Sequence, residues 1–190
     1  MPLTHSSVVF DVNDARVYPL LTDVAGASPT YGVGVDVPGI SEVGVDPNIV
    51  TAELKGDARV IATKGRTDRL SFSCTYGKMA GDVLATVLGS SSTDAGTTPN
   101  MTATFRLKSP ASLPYFKIEF QILDVEEGVG DLRVILYKCK VTGGTLIGSS
   151  SDNFGQPSFD ADCIAINGTI GSDVGVMGDW ILRETTAALP

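Results

Sequence analysis

The chain has 190 residues and a formal net charge of −8, with 43% apolar and 19% charged residues, 21 glycines and 10 prolines. That length suits one domain with appendages, and the apolar share excludes a generically disordered chain. The acidity argues against a high-affinity nucleic-acid binder, because such affinity comes mainly from neutralising phosphates.

Glycine and proline spread along the whole length favour short elements joined by turns, an all-β signature. The start, Met1 to Asn13, has no basic region followed by a long apolar run, so no signal peptide is expected. No apolar stretch approaches the ~20 residues of a membrane helix, so a soluble, cytoplasmically made protein with no membrane partner is expected. Ser7–Val12 and Gly32–Val45 read as strands, the second broken at Pro38-Gly39. Residues 47–67 alternate only weakly and read as a long extended loop, a length at which loops are often functional.

Period-two alternation then dominates. Leu70, Phe72, Cys74 and Tyr76 alternate with Ser71, Ser73 and Thr75. Ala103, Phe105 and Leu107 do the same among Thr and basic residues, and Phe116, Ile118, Phe120 and Ile122 alternate with Lys117, Glu119 and Gln121. Phe159, Ala161, Cys163 and Ala165 repeat the pattern with Ser158, Asp160 and Asp162. Each run is expected to be a strand with one buried and one wet face. Leu132–Val141 is apolar on both faces and is therefore central or bulged.

One segment breaks the rule. From Lys78 to Leu88, Ala80, Val83, Leu84, Val87 and Leu88 follow helical spacing, and Gly89 stands where a helix would end. Val83, Leu84, Val87 and Leu88 are the expected core-packing face. Ser90–Asn100 and Gly143–Asn153 read as loops. The fold class expected is mainly β, a sandwich or barrel with one flanking helix at about 78–88.

A search for chemistry yields little. His5 is the only histidine, and Cys74, Cys139 and Cys163 are widely spaced, so the usual zinc patterns fail. The three cysteines read as reduced core residues. Gly77-Lys78 lacks the glycine a phosphate loop needs upstream, and Gly32-Val33-Gly34 lacks its third glycine at Val37. Asp160-Ala161-Asp162 reads as acids on a strand's wet face in preference to a calcium site. No catalytic, metal or cofactor site is expected, and so no enzyme.

Charge is distributed unevenly. Residues 1–54 carry a net −6 and 143–190 a net −5, whereas 55–69 carry Lys55, Arg59, Lys64, Arg66 and Arg69 against Asp57 and Asp68.

Several stretches taken together are similar to one family. Asp14–Thr22 (DARVYPLLT), Ser28–Gly39 (SPTYGVGVDVPG) and Ala52–Thr63 (AELKGDARVIAT) resemble the N-terminal half of the major tail tube proteins of long-tailed bacteriophages. Leu70–Gly89, ending ATVLG, and Asp179–Thr185 (DWILRET) resemble that family's next segment and closing strand. The resemblance covers about two thirds of the chain, while 143–157 matches no part of the pattern. It implies a single tail-tube domain over 1–190, with an N-terminal arm (about 1–14) and a C-terminal segment (about 179–190). Six such subunits form a ring, rings stack head to tail, and a long loop reaches the neighbouring ring. The tube grows on a baseplate-side initiator around a tape-measure protein, is closed by a tail terminator, and passes DNA through its lumen without specific binding. The virion tail is the implied location. On this reading Lys55, Asp57, Arg59, Lys64, Arg66 and Arg69 contact an acidic face of the next ring. The residues alone leave open another phage β-structural protein (decoration, terminator or contractile-tail tube) or an immunoglobulin-like binding module.

Overall fold

The structure, a computed structural model, describes residues 9–56, 59–109, 112–124, 130–147, 155–183 and 186–190. The strands are β1 (Val9–Thr22), β2 (Thr30–Tyr31), β3 (Val35–Asp36), β4 (Ile40–Gly56) and β5 (Arg59–Tyr76). After helix α1 (Gly81–Leu88) come β6 (Ser91–Ala95), β7 (Thr102–Arg106), β8 (Phe116–Asp124), β9 (Asp131–Gly143) and β10 (Ser158–Cys163). The series ends with β11 (Thr169–Ile170), β12 (Asp173–Val174) and β13 (Gly178–Arg183). The chain is mainly β, with one short helix among the described residues.

A nine-stranded antiparallel sheet runs β2-β1-β8-β9-β10-β5-β4, with β3 on β1 and β13 on β9. In this path β8 and β5 stand three positions apart, about 14 Å in a flat sheet. Yet the rings of Phe72 on β5 and Phe120 on β8 are 5.9 Å apart. The sheet therefore curls onto itself, and β1 and β4 approach within 8 Å without a ladder between them. Inside the curl, Phe72, Tyr76, Phe116, Phe120 and Phe159 pack with Ile118, Leu136 and Val17. The apolar sets of β5, β8 and β10 all point inward, as their alternation requires. Strand β9 is central, pairing with β8 along one side and with β13 and then β10 along the other.

The helix seals the gap beside β1 and β3, burying Val83, Leu84 and Val87 and half-burying Leu88. It begins at Gly81, three residues later than expected. The Gly77 N–H donates to Gly39 O at 2.7 Å, tying the preceding turn to the Pro38-Gly39 turn and leaving the chain extended at Ala80. Gly89, at φ +65°, ends it as its sequence position demanded.

Four expectations need correction. Residues 47–56 and 59–67 are extended but not a loop: they form the arms of the β4–β5 hairpin. Ser90–Asn100 contains β6, which pairs with β7 in a separate two-stranded hairpin. There Phe105 is half-buried beside α1, while Ala103 and Leu107 are exposed. Cys139 and Cys163 are not reduced. They sit directly opposite each other on β9 and β10 and form a disulfide, leaving Cys74 free and buried. Residues 24 apart in sequence became cross-strand neighbours, which spacing does not reveal. Finally, the outward face of β8 is not wet: Glu119 and Gln121 are 2% and 1% exposed.

Candidate functional site

The largest departure from a closed domain is the distal half of the β4–β5 hairpin. The last residue of β5 paired to β10 is Leu70, opposite Cys163. Beyond it the two arms continue from the Ile49–Thr67 pair to the Gly56–Arg59 pair, with no third strand beside them among the described residues. Eight residues of strand project about 25 Å. Every described side chain of 49–55 and 59–69 is exposed. A two-stranded ribbon with no buried face is marginal alone, and its exposed ladder edges invite a partner.

Its two faces differ. Cross-strand pairing puts Val50 with Arg66, Ala52 with Lys64 and Leu54 with Ala62 on one face. The other carries Ile49, Thr51, Glu53, Thr63, Gly65 and Thr67. The first face is apolar and basic, the second largely threonine. Leu54 at 62% and Ile61 at 61% exposure are conspicuous for aliphatic side chains away from a core.

The sequence-derived basic residues are thus only partly brought together. Lys64 and Arg66 share a face, with Arg66 3.4 Å from Asp68. Lys55 lies near the tip, 3.4 Å from Glu53, and Arg59 is at the tip opposite Gly56. Arg69 sits at the root, bound to Asp162 at 3.2 Å, and belongs to the body of the sheet. Asp57 lies outside the described residues. Exposed pairs of this kind contribute little to stability, so the cations remain available to a partner.

A second polar feature was not legible in the sequence. The outer face of β1, β8 and β9 carries Arg16, Tyr18, Lys117, Glu119, Gln121, Asp131 and Arg133. Glu119 binds Lys117 at 2.5 Å and also Arg133, while Gln121 donates to Asp131. Residues 186–190 cover this layer. Arg16 Nη1 and Tyr18 OH donate to the main-chain oxygen of Pro190 at 2.5 and 2.9 Å. Gln121 Nε2 and Arg183 Nη1 donate to that of Ala187 at 3.1 and 3.2 Å. Leu189 is buried. Burial and the Glu119 carboxylate push the Tyr18 hydroxyl up, so it remains a donor.

Beside this layer, Ile135, Tyr137 and Ile166 form a small separate core with Tyr31, Ile170 and Val176. Burial raises the hydroxyls of Tyr31 and Tyr137, and Tyr137 donates to Asp179 at 2.7 Å. Among the described residues, no group of three His, Cys, Asp or Glu is placed to hold a metal ion, and no helix is long and apolar enough to cross a membrane. No family model and no curated protein matches the chain.

Proposed function

We propose that this chain is a structural subunit that assembles with copies of itself into stacked rings, as the major tail tube protein of a long-tailed phage does. The observation that carries the proposal is the projecting hairpin. A ribbon with both faces wet, exposed aliphatics and four of the chain's basic side chains is a poor end state for an isolated molecule. It is a good arm for reaching a second one. The remainder of the chain is acidic, so the hairpin of one copy and the body of the next attract one another. Such a contact is head to tail: different surfaces meet, and it repeats into a ring or a filament. The curled sheet behind it is a rigid base from which the arm extends.

The test reverses the basic face. Lys64→Glu with Arg66→Glu should abolish stacked assemblies seen by negative-stain microscopy. The thermal transition of the subunit should stay within about 1 kcal/mol of the original, because neither side chain is buried. Charge screening acts beyond ~8 Å at physiological salt, so raising the salt should shorten assemblies of the unmodified chain. Assemblies of normal length from the double variant would remove the hairpin's role. Filter retention of DNA by the unmodified subunit would point to phosphate as the hairpin's target instead.

A further inference from the structure

The layer beneath residues 186–190 is built unlike a core. Glu119 and Asp131 are each 2% exposed, with Lys117, Arg133 and Arg183 packed around them. Asp131 Oδ1 and Arg133 Nε find no hydrogen-bond partner among the described residues. Removing such groups from water is costly, even when paired. Among the contacts that seat the covering segment are one buried apolar side chain, Leu189, and four hydrogen bonds to the main-chain oxygens of Ala187 and Pro190. Lifting the cover would rehydrate the charges while their own ion pairs, Lys117–Glu119 and Glu119–Arg133, hold the layer in place.

What the layer recognises is equally specific. It reads two main-chain oxygens three residues apart, those of Ala187 and Pro190, and buries the leucine between them. That is how a protein binds an extended peptide, with main-chain hydrogen bonds for affinity and a buried side chain for selectivity. Arg16, Tyr18 and Gln121 are far along the chain from the oxygens they hold, so their three bonds do not require the peptide to belong to the same molecule, whereas Arg183 is only four residues from Ala187.

From this seated segment we infer that the face formed by Arg16, Tyr18, Gln121 and Arg183 is a peptide-binding site that accepts residues 186–190 of a second copy, so that neighbouring copies exchange these segments. The cis occupant is favoured in dilute solution by its high effective concentration, and the trans occupant gains as copies crowd together. A reciprocal exchange closes at two copies, and a non-reciprocal one runs on from copy to copy. The site lies on the sheet body, not on the hairpin, and so goes beyond the assembly reading above.

A photoreactive benzophenone side chain at position 188, which is exposed, tests this in the full-length protein. Unlabelled and 15N-labelled copies are mixed and irradiated over a concentration series, and the cross-linked peptides are sequenced by mass spectrometry. At low concentration the cross-links should be intrachain and fall on β1 and β8. From micromolar to millimolar, mixed-isotope cross-links to those same strands should rise about tenfold or more. An excess of free peptide spanning 186–190 should suppress them, and Leu189→Asp should abolish both classes while the thermal transition persists. Exclusively intrachain cross-links at every concentration would overturn the inference, as would interchain cross-links landing elsewhere or ignoring the peptide. Exchanged pairs without stacked assemblies would sink the tube reading alone. Stacked assemblies with only intrachain cross-links would sink this one alone.

Discussion

Asp23 shows how much one half-buried residue can hold. Its carboxylate accepts Lys138 Nζ at 2.6 Å and the main-chain N–H groups of Asn167 and Gly168 at 2.9 and 2.8 Å. It thus joins the chain leaving β1 to central strand β9 and to the loop after β10. A glycine is needed at 168, since a Cβ there would collide with the Ala27 carbonyl. Burial by itself would raise the Asp23 carboxyl, but Lys138 and the two amides outweigh it and hold the group below the ordinary carboxylate range. The folded state therefore binds fewer protons here than the unfolded state. The stabilisation is complete above about pH 4 and is lost as pH falls through the lowered value. Asp14 has the opposite sign, because burial and then Asp36 raise it. It is half-exposed, and solvent screening leaves it the smaller effect. Asp23→Ala should cost about 3–5 kcal/mol by leaving Lys138 buried without its partner. It should also flatten the loss of stability as pH falls below about 4 in denaturant titrations. A variant with the acid sensitivity of the original would show that Asp23 is not the group responsible.

At the scale of elements, helix α1 makes the clearest stability prediction. Leu84 is 1% exposed and lines, with Val87 and Leu88, an apolar groove of about 260 Å³ against Val141 and Phe159. Truncation to alanine removes its contacts where the sheet cannot collapse to replace them. Leu84→Ala should lower stability by about 2–5 kcal/mol in chemical unfolding; a change below 1 kcal/mol would mean that α1 does not seal the core. The helix and the inward faces of β5, β8 and β10 were legible because burying one face imprints a period on the sequence. The distal hairpin was not, for the complementary reason. With neither face buried, nothing forces apolar and polar residues to alternate, so 47–67 looked like a loop. The outer face of β8 misled in the other direction: Lys117, Glu119 and Gln121 look like a wet face, and only a segment some 66 residues away covers Gln121. The Cys139–Cys163 bond was hidden in the same way. Local pattern records which face is buried, whereas partners brought together by topology leave no local mark.

For the whole molecule, the division of labour between body and hairpin leads to a last prediction. The curled sheet contains the described core, and among the described residues the distal hairpin adds no buried side chain to it. Residues 50–66 can therefore be excised and the Ile49–Thr67 pair closed with a two-residue Asn-Gly turn, the loop type that suits the twist of paired strands. Excision also removes Val50, Leu54, Val60 and Ile61, whose exposure favours association, and with them Lys64 and Arg66. The excised chain should unfold within about 1 kcal/mol of the original, since surface changes away from the core are nearly neutral. By light scattering it should remain monomeric at concentrations where the full chain associates. The two readouts separate the alternatives. A folded chain that still assembles would locate the contact on the sheet body, where β13 leaves Trp180 and Leu182 exposed. A chain that no longer folds would mean the distal ribbon supports the roots of β4 and β5, contrary to its lack of burial. Only a folded, non-assembling chain is consistent with a hairpin that serves association and not stability.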